Sequence, residues 1–235
     1  MPIKPHYHRI LLKLSGESLG NSGTGIDLNK LKEVVDVIRA LRALRVELAI
    51  VIGGGNIWRK RNQGGGMDEV TADFMGMVAT VINALALQQG LFKSKIKVVV
   101  QSPICFDLPG VDKLNPSQAQ KFLKSGVVIF AGGTGKPFFT TDTSAVNRAQ
   151  DIKANLIIKA GPADGVYTAD PKTNKSAKKY LYLSFNEAIK KKLGVMDMSA
   201  LKFCQKHGLK VLVCKWNKVN VLNAATGKKV GTLVS

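Results

Sequence analysis

Apolar positions in this chain fall into short continuous runs separated by longer amphipathic stretches. Arg9 to Leu14 (RILLKL), Glu47 to Ile52, Ile96 to Gln101, Val127 to Phe130, Asn155 to Lys159 and Lys210 to Cys214 read as buried strands of a parallel sheet. Between them the period becomes helical. Leu28, Leu31, Val34, Val35, Ile38 and Leu41 share one helical face. A helix from Val70 to Gln89 is apolar nearly all round, through Phe74, Met75, Met77, Val78, Val81, Ile82, Leu85 and Leu87, and should be buried on more than one side. Asn115-Pro116 opens a helix that stops at Gly126. Another helix runs from Thr143 to Asp151. Ser184 and Glu187 form a capping box for a helix ending near Gly194. Met196-Asp197 leads a further one, closed by Gly208. Gly231 to Ser235 reads as a last edge strand, and Tyr167 to Lys179 as a polar, mobile loop. Strand and helix alternate throughout, which predicts an α/β fold with a largely parallel sheet, one domain over residues 1–235.

Three glycine-bearing loops follow predicted strands, at Lys13 to Gly16, Gly53 to Arg59 and Gly132 to Asp142. In sheets of this kind ligands collect at the carboxyl ends of the strands. Each loop offers backbone N–H groups, and Lys13 and Arg59 add cations, a combination suited to phosphate. Gly133-Thr134-Gly135-Lys136 resembles the end of a P-loop. That motif needs a glycine where Phe130 stands and a hydroxyl where Pro137 stands, so it is rejected. Asp164, Asp170 and Asp197 could orient lysines, hold a ribose or reach Mg²⁺ through water. Asp164 equally suits its Asp-Gly turn, and Asp197 the cap of its helix. No Ser–His–Asp or Cys–His set is present. A phosphate acceptor removes the need for one, because its second pKa of about 6 leaves it largely dianionic at neutral pH.

Composition narrows this further. The amino terminus lacks a signal-peptide pattern and no apolar run reads as a membrane span, so a cytoplasmic protein is expected. Cys105, Cys204 and Cys214 sit in apolar company without metal spacing and read as buried free thiols. The net charge is +19, of which residues 151–235 carry +11 from 16 lysines and 5 acids. Those lysines are dispersed and aromatic residues make up only 6%. Solvated surface accounts for the charge better than a nucleic-acid site, which would favour arginine and interleaved aromatics.

Six segments in order resemble the amino acid kinase family and, within it, the bacterial uridylate kinases. They are Ile10-Leu11-Leu12-Lys13-Leu14-Ser15-Gly16-Glu17, Val51-Ile52-Gly53-Gly54-Gly55-Asn56, Gly76-Met77-Val78-Ala79-Thr80, Gly135-Lys136-Pro137-Phe138-Phe139-Thr140-Thr141-Asp142, Asp164-Gly165-Val166-Tyr167-Thr168-Ala169-Asp170-Pro171 and Val195-Met196-Asp197. The resemblance implies a three-layer α/β/α sandwich and the reaction ATP + UMP → ADP + UDP with Mg²⁺. The UMP side would lie mainly in the amino-terminal part and the ATP side mainly in the carboxy-terminal part. It implies that Lys13, Leu14, Ser15, Gly16, Gly55 and Arg59 cradle the ATP phosphates, with Tyr167 and Asp170 on the adenine and ribose. Gly54, Asp73, Thr134, Gly135, Lys136, Pro137, Phe138, Phe139, Thr140 and Thr141 would form the UMP site, with Asp73 on the ribose. Lys13, Arg59, Asp142 and Asp197 would carry the catalysis, with no direct protein ligand to a metal. Gly20, Asn21, Ser22, Gly23, Thr24 and Gly25 resemble a segment tied to activation by GTP. A homohexamer inhibited by UTP is also implied. Gly161-Pro162 departs from the pattern, leaving Gly161 only a backbone contact to ATP, and the 20–25 segment is short. Two other readings stand beside this one: a kinase for a carboxylate or carbamate, and a basic nucleic-acid-binding protein on the same fold.

Overall fold

The computed structural model describes residues 5–21, 23–59 and 65–235. Strands β1 (Arg9–Leu14), β2 (Glu47–Ile52), β3 (Val98–Ser102), β4 (Val111–Lys113), β5 (Val127–Phe130), β6 (Leu156–Gly161), β7 (Tyr182–Leu183), β8 (Val211–Lys215) and β9 (Thr232–Val234) form one sheet in the order β4-β3-β5-β2-β1-β6-β8-β9-β7. Every pairing is parallel except β8 with β9. Seven helices cover it among the described residues: α1 (Leu28–Ala43), α2 (Glu69–Lys93), α3 (Pro116–Phe122), α4 (Thr141–Asp151), α5 (Phe185–Lys190), α6 (Met198–His207) and α7 (Lys218–Ala225).

Strand side chains alternate between two cores. Ile10, Leu12 and Leu14 of β1 join α1, α2 and α7 on one face. Leu11, with Val51 and Ile157 of its neighbours, joins α3, α4, α5 and α6 on the other. The result is the expected α/β/α sandwich. Burial on both faces explains why the central strands read as unbroken apolar runs.

Local signals set most boundaries. Asp27 caps α1, Asn115 caps α3 and Asp197 caps α6, each accepting from backbone N–H groups of the first turn. Gly208 closes α6 in the left-handed conformation.

Several expectations need correction. α4 begins at Thr141 rather than Thr143, because Thr140 takes the cap. Leu28 is the first residue of α1, ahead of the face that meets the core, and is 76% exposed. Only half of the Ser184–Glu187 box forms: Ser184 accepts from Glu187 N, but the Glu187 carboxylate is taken by Lys191 and Tyr180. β9 is not an edge, since the two-residue β7 pairs outside it. The polar stretch after Tyr167 folds back on itself through a Tyr167–Lys179 bridge and a Thr168 N–H bond to Lys178 O. Cys105 is exposed, whereas burial pushes the Cys204 and Cys214 thiols up to about 12, leaving both protonated.

α2 has two unlike sides. Val81, Ala84, Leu87 and Leu91 enter the core, while Phe74, Met75, Val78 and Ile82 are exposed. Its length and mean hydropathy of 1.6 would suffice to cross a bilayer, contrary to the sequence reading, yet nearly half of that apolar stretch is buried within the protein.

Candidate active site

β1 and β6 pair so that Lys13 stands beside Lys159. Both side chains leave the sheet on the α4 face, with the parity of Leu11 and Ile157. The two strands run roughly 5 Å apart, so the lysines' like charges repel each other. Asp142, in the first turn of α4, reconciles them. Its Oδ1 lies 3.0 Å from Lys13 Nζ and its Oδ2 lies 2.8 Å from Lys159 Nζ. The Lys13 contact is an ion pair, and Lys159 also donates a hydrogen bond to Oδ2. Lys159 also donates to Val195 O at 2.7 Å.

Burial alone would raise the Asp142 carboxyl. The two lysines override it and hold the group below the usual carboxylate range. Burial pushes the Lys159 ammonium down, against the attraction of Asp142. Lys159 is absent from the residues expected from sequence. Its signal was there: NLIIK ends a buried strand with a lysine, as LLK does in β1.

Around this cluster lie the strand-end loops. Thr140 caps α4 by accepting from Asp142 N and Thr143 N, and donates its own hydroxyl to Asp197 Oδ2. Asp197 is filled on all sides, accepting also from Thr143 Oγ1, Ser199 Oγ and Ala200 N. Burial would raise its carboxyl, but those donors bring it below the ordinary range.

A cleft of about 590 Å³ opens above the α4 N-terminus. It gathers Gly54, Gly55, Arg59, Asp73, Lys136, Phe139, Thr140 and Thr141 from the expected set, and adds Trp58, Met77 and Thr80. Gly54 must be glycine, since a Cβ there would lie 2.8 Å from both Ala79 Cβ and Gly76 O of α2. Thr80 accepts from Gly132 N at 2.8 Å, tying α2 to the loop after β5. Gly132, Gly133 and Gly135 all take positive φ. Thr134, Gly135, Pro137 and Phe138 belong to that loop without lining the cleft. Asp73 Oδ2 accepts from Phe138 N at 2.8 Å. Arg59 is held by Glu17 Oε1 at 2.6 Å.

On the other side, Ser15 and Gly161 line a cavity of about 210 Å³ with Trp216. It adjoins the cluster, because Lys13 and Lys159 stand two residues before them. Gly16 begins a short helical turn after Ser15. Leu14 is fully buried, and its carbonyl accepts from Gly53 N. Tyr167 and Asp170 line a separate cleft of about 690 Å³, with Lys191 and Lys192 at its edge. The Tyr167 hydroxyl donates to Asp164, and Asp170 accepts from Lys172 N. In the 20–25 segment Asn21 and Thr24 bond each other and Lys30 donates to Asn21 Oδ1, while Ser22 lies outside the described residues.

This arrangement sets two cavities on either side of a cationic pair, which suits anions. The model of the amino acid kinase family matches residues 8–215. The chain is 46% identical to a uridylate kinase of Stutzerimonas stutzeri (strain A1501), over 98% of this chain and 94% of that protein. Its structure is similar to that of the UMP kinase from Bacillus anthracis, with a TM-score of 0.91 and 35% identity over 97% of this chain and 96% of that one. The UMP kinase from Ureaplasma parvum is similar too, with a TM-score of 0.88 and 36% identity over 97% and 98%.

The charge cluster has a measurable signature. The folded carboxyl of Asp142 is depressed, so the unfolded chain binds more protons between the two pKa values. Stability from this group is present above the unfolded value and is lost as pH falls through the folded one. Asp142→Asn strands two lysines and should cost about 3 kcal/mol at neutral pH. The gap to the wild type should be full at neutral pH and should narrow at acid pH, as the folded carboxyl takes up its proton. Urea unfolding at both pH values checks this. A gap of constant size would mean that Asp142 stabilises by packing rather than by charge.

Proposed function

The chain belongs to the amino acid kinase family, and from that premise we propose that it transfers the γ-phosphoryl group of ATP to UMP, giving ADP and UDP. The observation that carries this reading is the Lys13–Asp142–Lys159 cluster, flanked by a donor-side loop at Ser15 and Gly161 and by the acceptor cleft at Thr140 and Thr141. UMP lies in the 590 Å³ cleft. Its phosphate meets the N–H groups of Gly54 and Gly55 and the N-terminus of α4, where the helix dipole favours an anion. The base rests among Trp58, Met77 and Phe139. Asp73 takes the ribose hydroxyls. The ATP phosphates lie over Lys13 to Gly16, and the adenosine reaches Tyr167 and Asp170.

The UMP phosphate is itself the nucleophile, so no side chain needs to remove a proton. Catalysis consists of alignment and charge neutralisation. Lys13 and Lys159 stabilise the charge on the transferring group, and Asp142 keeps the two ammonium groups aimed and apart. Arg59, held by Glu17, closes on phosphate from the glycine loop. Asp197 acts through Thr140, by fixing the cap of α4. Both Asp142 and Asp197 already have their oxygens engaged, so Mg²⁺ belongs with the ATP phosphates and water. When bound, it supplies further charge neutralisation.

The exposed apolar side of α2 supports a self-assembling enzyme, as a hexamer in the cytoplasm. GTP activation through the 20–25 segment and inhibition by UTP complete the reading.

A UMP-dependent ADP-release assay tests the reaction, with CMP, glutamate and carbamate as comparison acceptors. UMP should be strongly preferred, and equal turnover of a carboxylate would overturn the assignment. Lys13→Ala should lower kcat by roughly 10²–10³ while the protein stays folded. A near-normal kcat would remove Lys13 from the chemistry. Asp73→Ala should raise KM for UMP far more than KM for ATP, whereas equal effects would reduce Asp73 to a support for the Phe138 loop. Light scattering over a dilution series should give an oligomer mass, and a monomer at about micromolar concentration, where stable oligomers persist, would refute the assembly.

A further inference from the structure

Two fully buried amides lie behind the glycine loop, outside the residues assigned to substrate. Asn56 ends the Gly53–Gly55 loop and Asn83 sits on the inner side of α2, both with no exposed surface. They bond reciprocally: Asn56 Nδ2 donates to Asn83 Oδ1 at 3.0 Å, and Asn83 Nδ2 donates to Asn56 Oδ1 at 2.8 Å. Their remaining capacity goes to main chain. Asn83 Nδ2 donates to Gly53 O at 2.8 Å, and Asn56 Nδ2 donates to Gly25 O at 2.9 Å. The main-chain carbonyl of Asn56 in turn accepts from Gly23 N at 2.9 Å and Gly25 N at 3.3 Å.

The pair therefore touches three chain segments at once. The β1 loop packs directly on it: a Cβ at Gly16 would fall 2.4 Å from Asn56 Oδ1 and 2.7 Å from Gly55 N. The turn that carries Gly23 and Gly25 hangs from it, and Gly20 closes against the same turn so tightly that a Cβ would fall 1.8 Å from Gly25 O. Two buried amides are an expensive way to fill a core, since each unpaired group would cost about 1–3 kcal/mol. Their pairing makes sense if the positions of these segments matter.

We propose that Asn56 and Asn83 are positioning residues that clamp the Gly53–Gly55 loop, the β1 loop and the Gly23–Gly25 turn into one rigid body. The proposal rests on the reading that the glycine loop holds a reacting phosphate. The clamp acts on alignment, so it serves turnover more than affinity: a displacement of about 1 Å in a reacting group can cost roughly 10²-fold in rate. Every donor in it is an amide or a peptide N–H, so none of its bonds changes with pH.

The test uses the full-length protein and two variants that attack the clamp from opposite ends. Asn83→Ala removes the donors to Gly53 O and Asn56. Gly20→Ala forces Gly25 away and leaves both amides in place. In each, hydrogen exchange at the Gly23 and Gly25 amides should quicken at least about tenfold, while the β1 and β2 amides keep their protection. kcat should fall at least about tenfold, with KM for UMP and ATP changed by less than about threefold. Because both act on one body, the double variant should be little worse than either single one. Unchanged exchange in a folded variant overturns the proposal. So does faster exchange with normal kcat, and so do losses that multiply in the double variant. If Asn83→Ala fails to fold, Gly20→Ala alone decides on the same readouts. A wild-type chain without UMP-dependent turnover would sink the functional reading, while the exchange data would still report on the clamp.

Discussion

The site depends on a single electrostatic constraint. Parallel pairing of β1 with β6 sets two lysines side by side at the carboxyl end of the sheet, where burial already disfavours the charge of Lys159. Such a pair persists only with an anion between its members. Asp142 is that anion, and its place is set by α4, whose cap Thr140 is in turn fixed by Asp197. The chain of dependence runs from the cap of α6 to the cap of α4, then to the carboxylate, then to the lysines. Three carboxylate–donor contacts thereby fix the direction of two cations.

A cationic pair of this kind suits chemistry in which charge, rather than a proton, is the obstacle. The cleft at Thr140 and Thr141 and the cavity at Ser15 and Gly161 lie on either side of it. No histidine lines the acceptor cleft, and none is required when the nucleophile is a phosphate oxygen. The glycines around the pair do the complementary task of letting backbone and helix approach closely. Gly54 shows this most directly, seated against α2 with no room for a side chain.

α2 links this machinery to the rest of the molecule. Its inner side sends Thr80 to the loop after β5 and Asn83 to the loop after β2. Its outer side is an exposed row that includes Phe74, Val78 and Ile82. One helix therefore holds two strand-end glycine loops from within and offers an apolar surface without. An oligomer built on that surface would have the strand-end glycine loops within one helix diameter of a subunit contact, about 10 Å.

The sequence by itself determined the central sheet strands, the two-sided burial and the strand-end glycine loops, because each is written in consecutive residues. RILLKL, ELAIVI and VVIF could only be central strands, and their boundaries in the structure agree with the pattern. Caps such as Asn115 and Asp197, and the Gly208 stop, were legible for the same local reason. Only the tertiary structure decided what depends on register across distant segments. Lys159 becomes part of the site because β6 pairs with β1, a contact 146 residues apart in the chain that no local pattern encodes. The reciprocal bond between Asn56 and Asn83 is invisible for the same reason, since an asparagine in a loop and another in an apolar helix each read as ordinary. The two-residue β7 escaped notice because a strand so short has no periodicity, and it exists only because β9 offers it an edge.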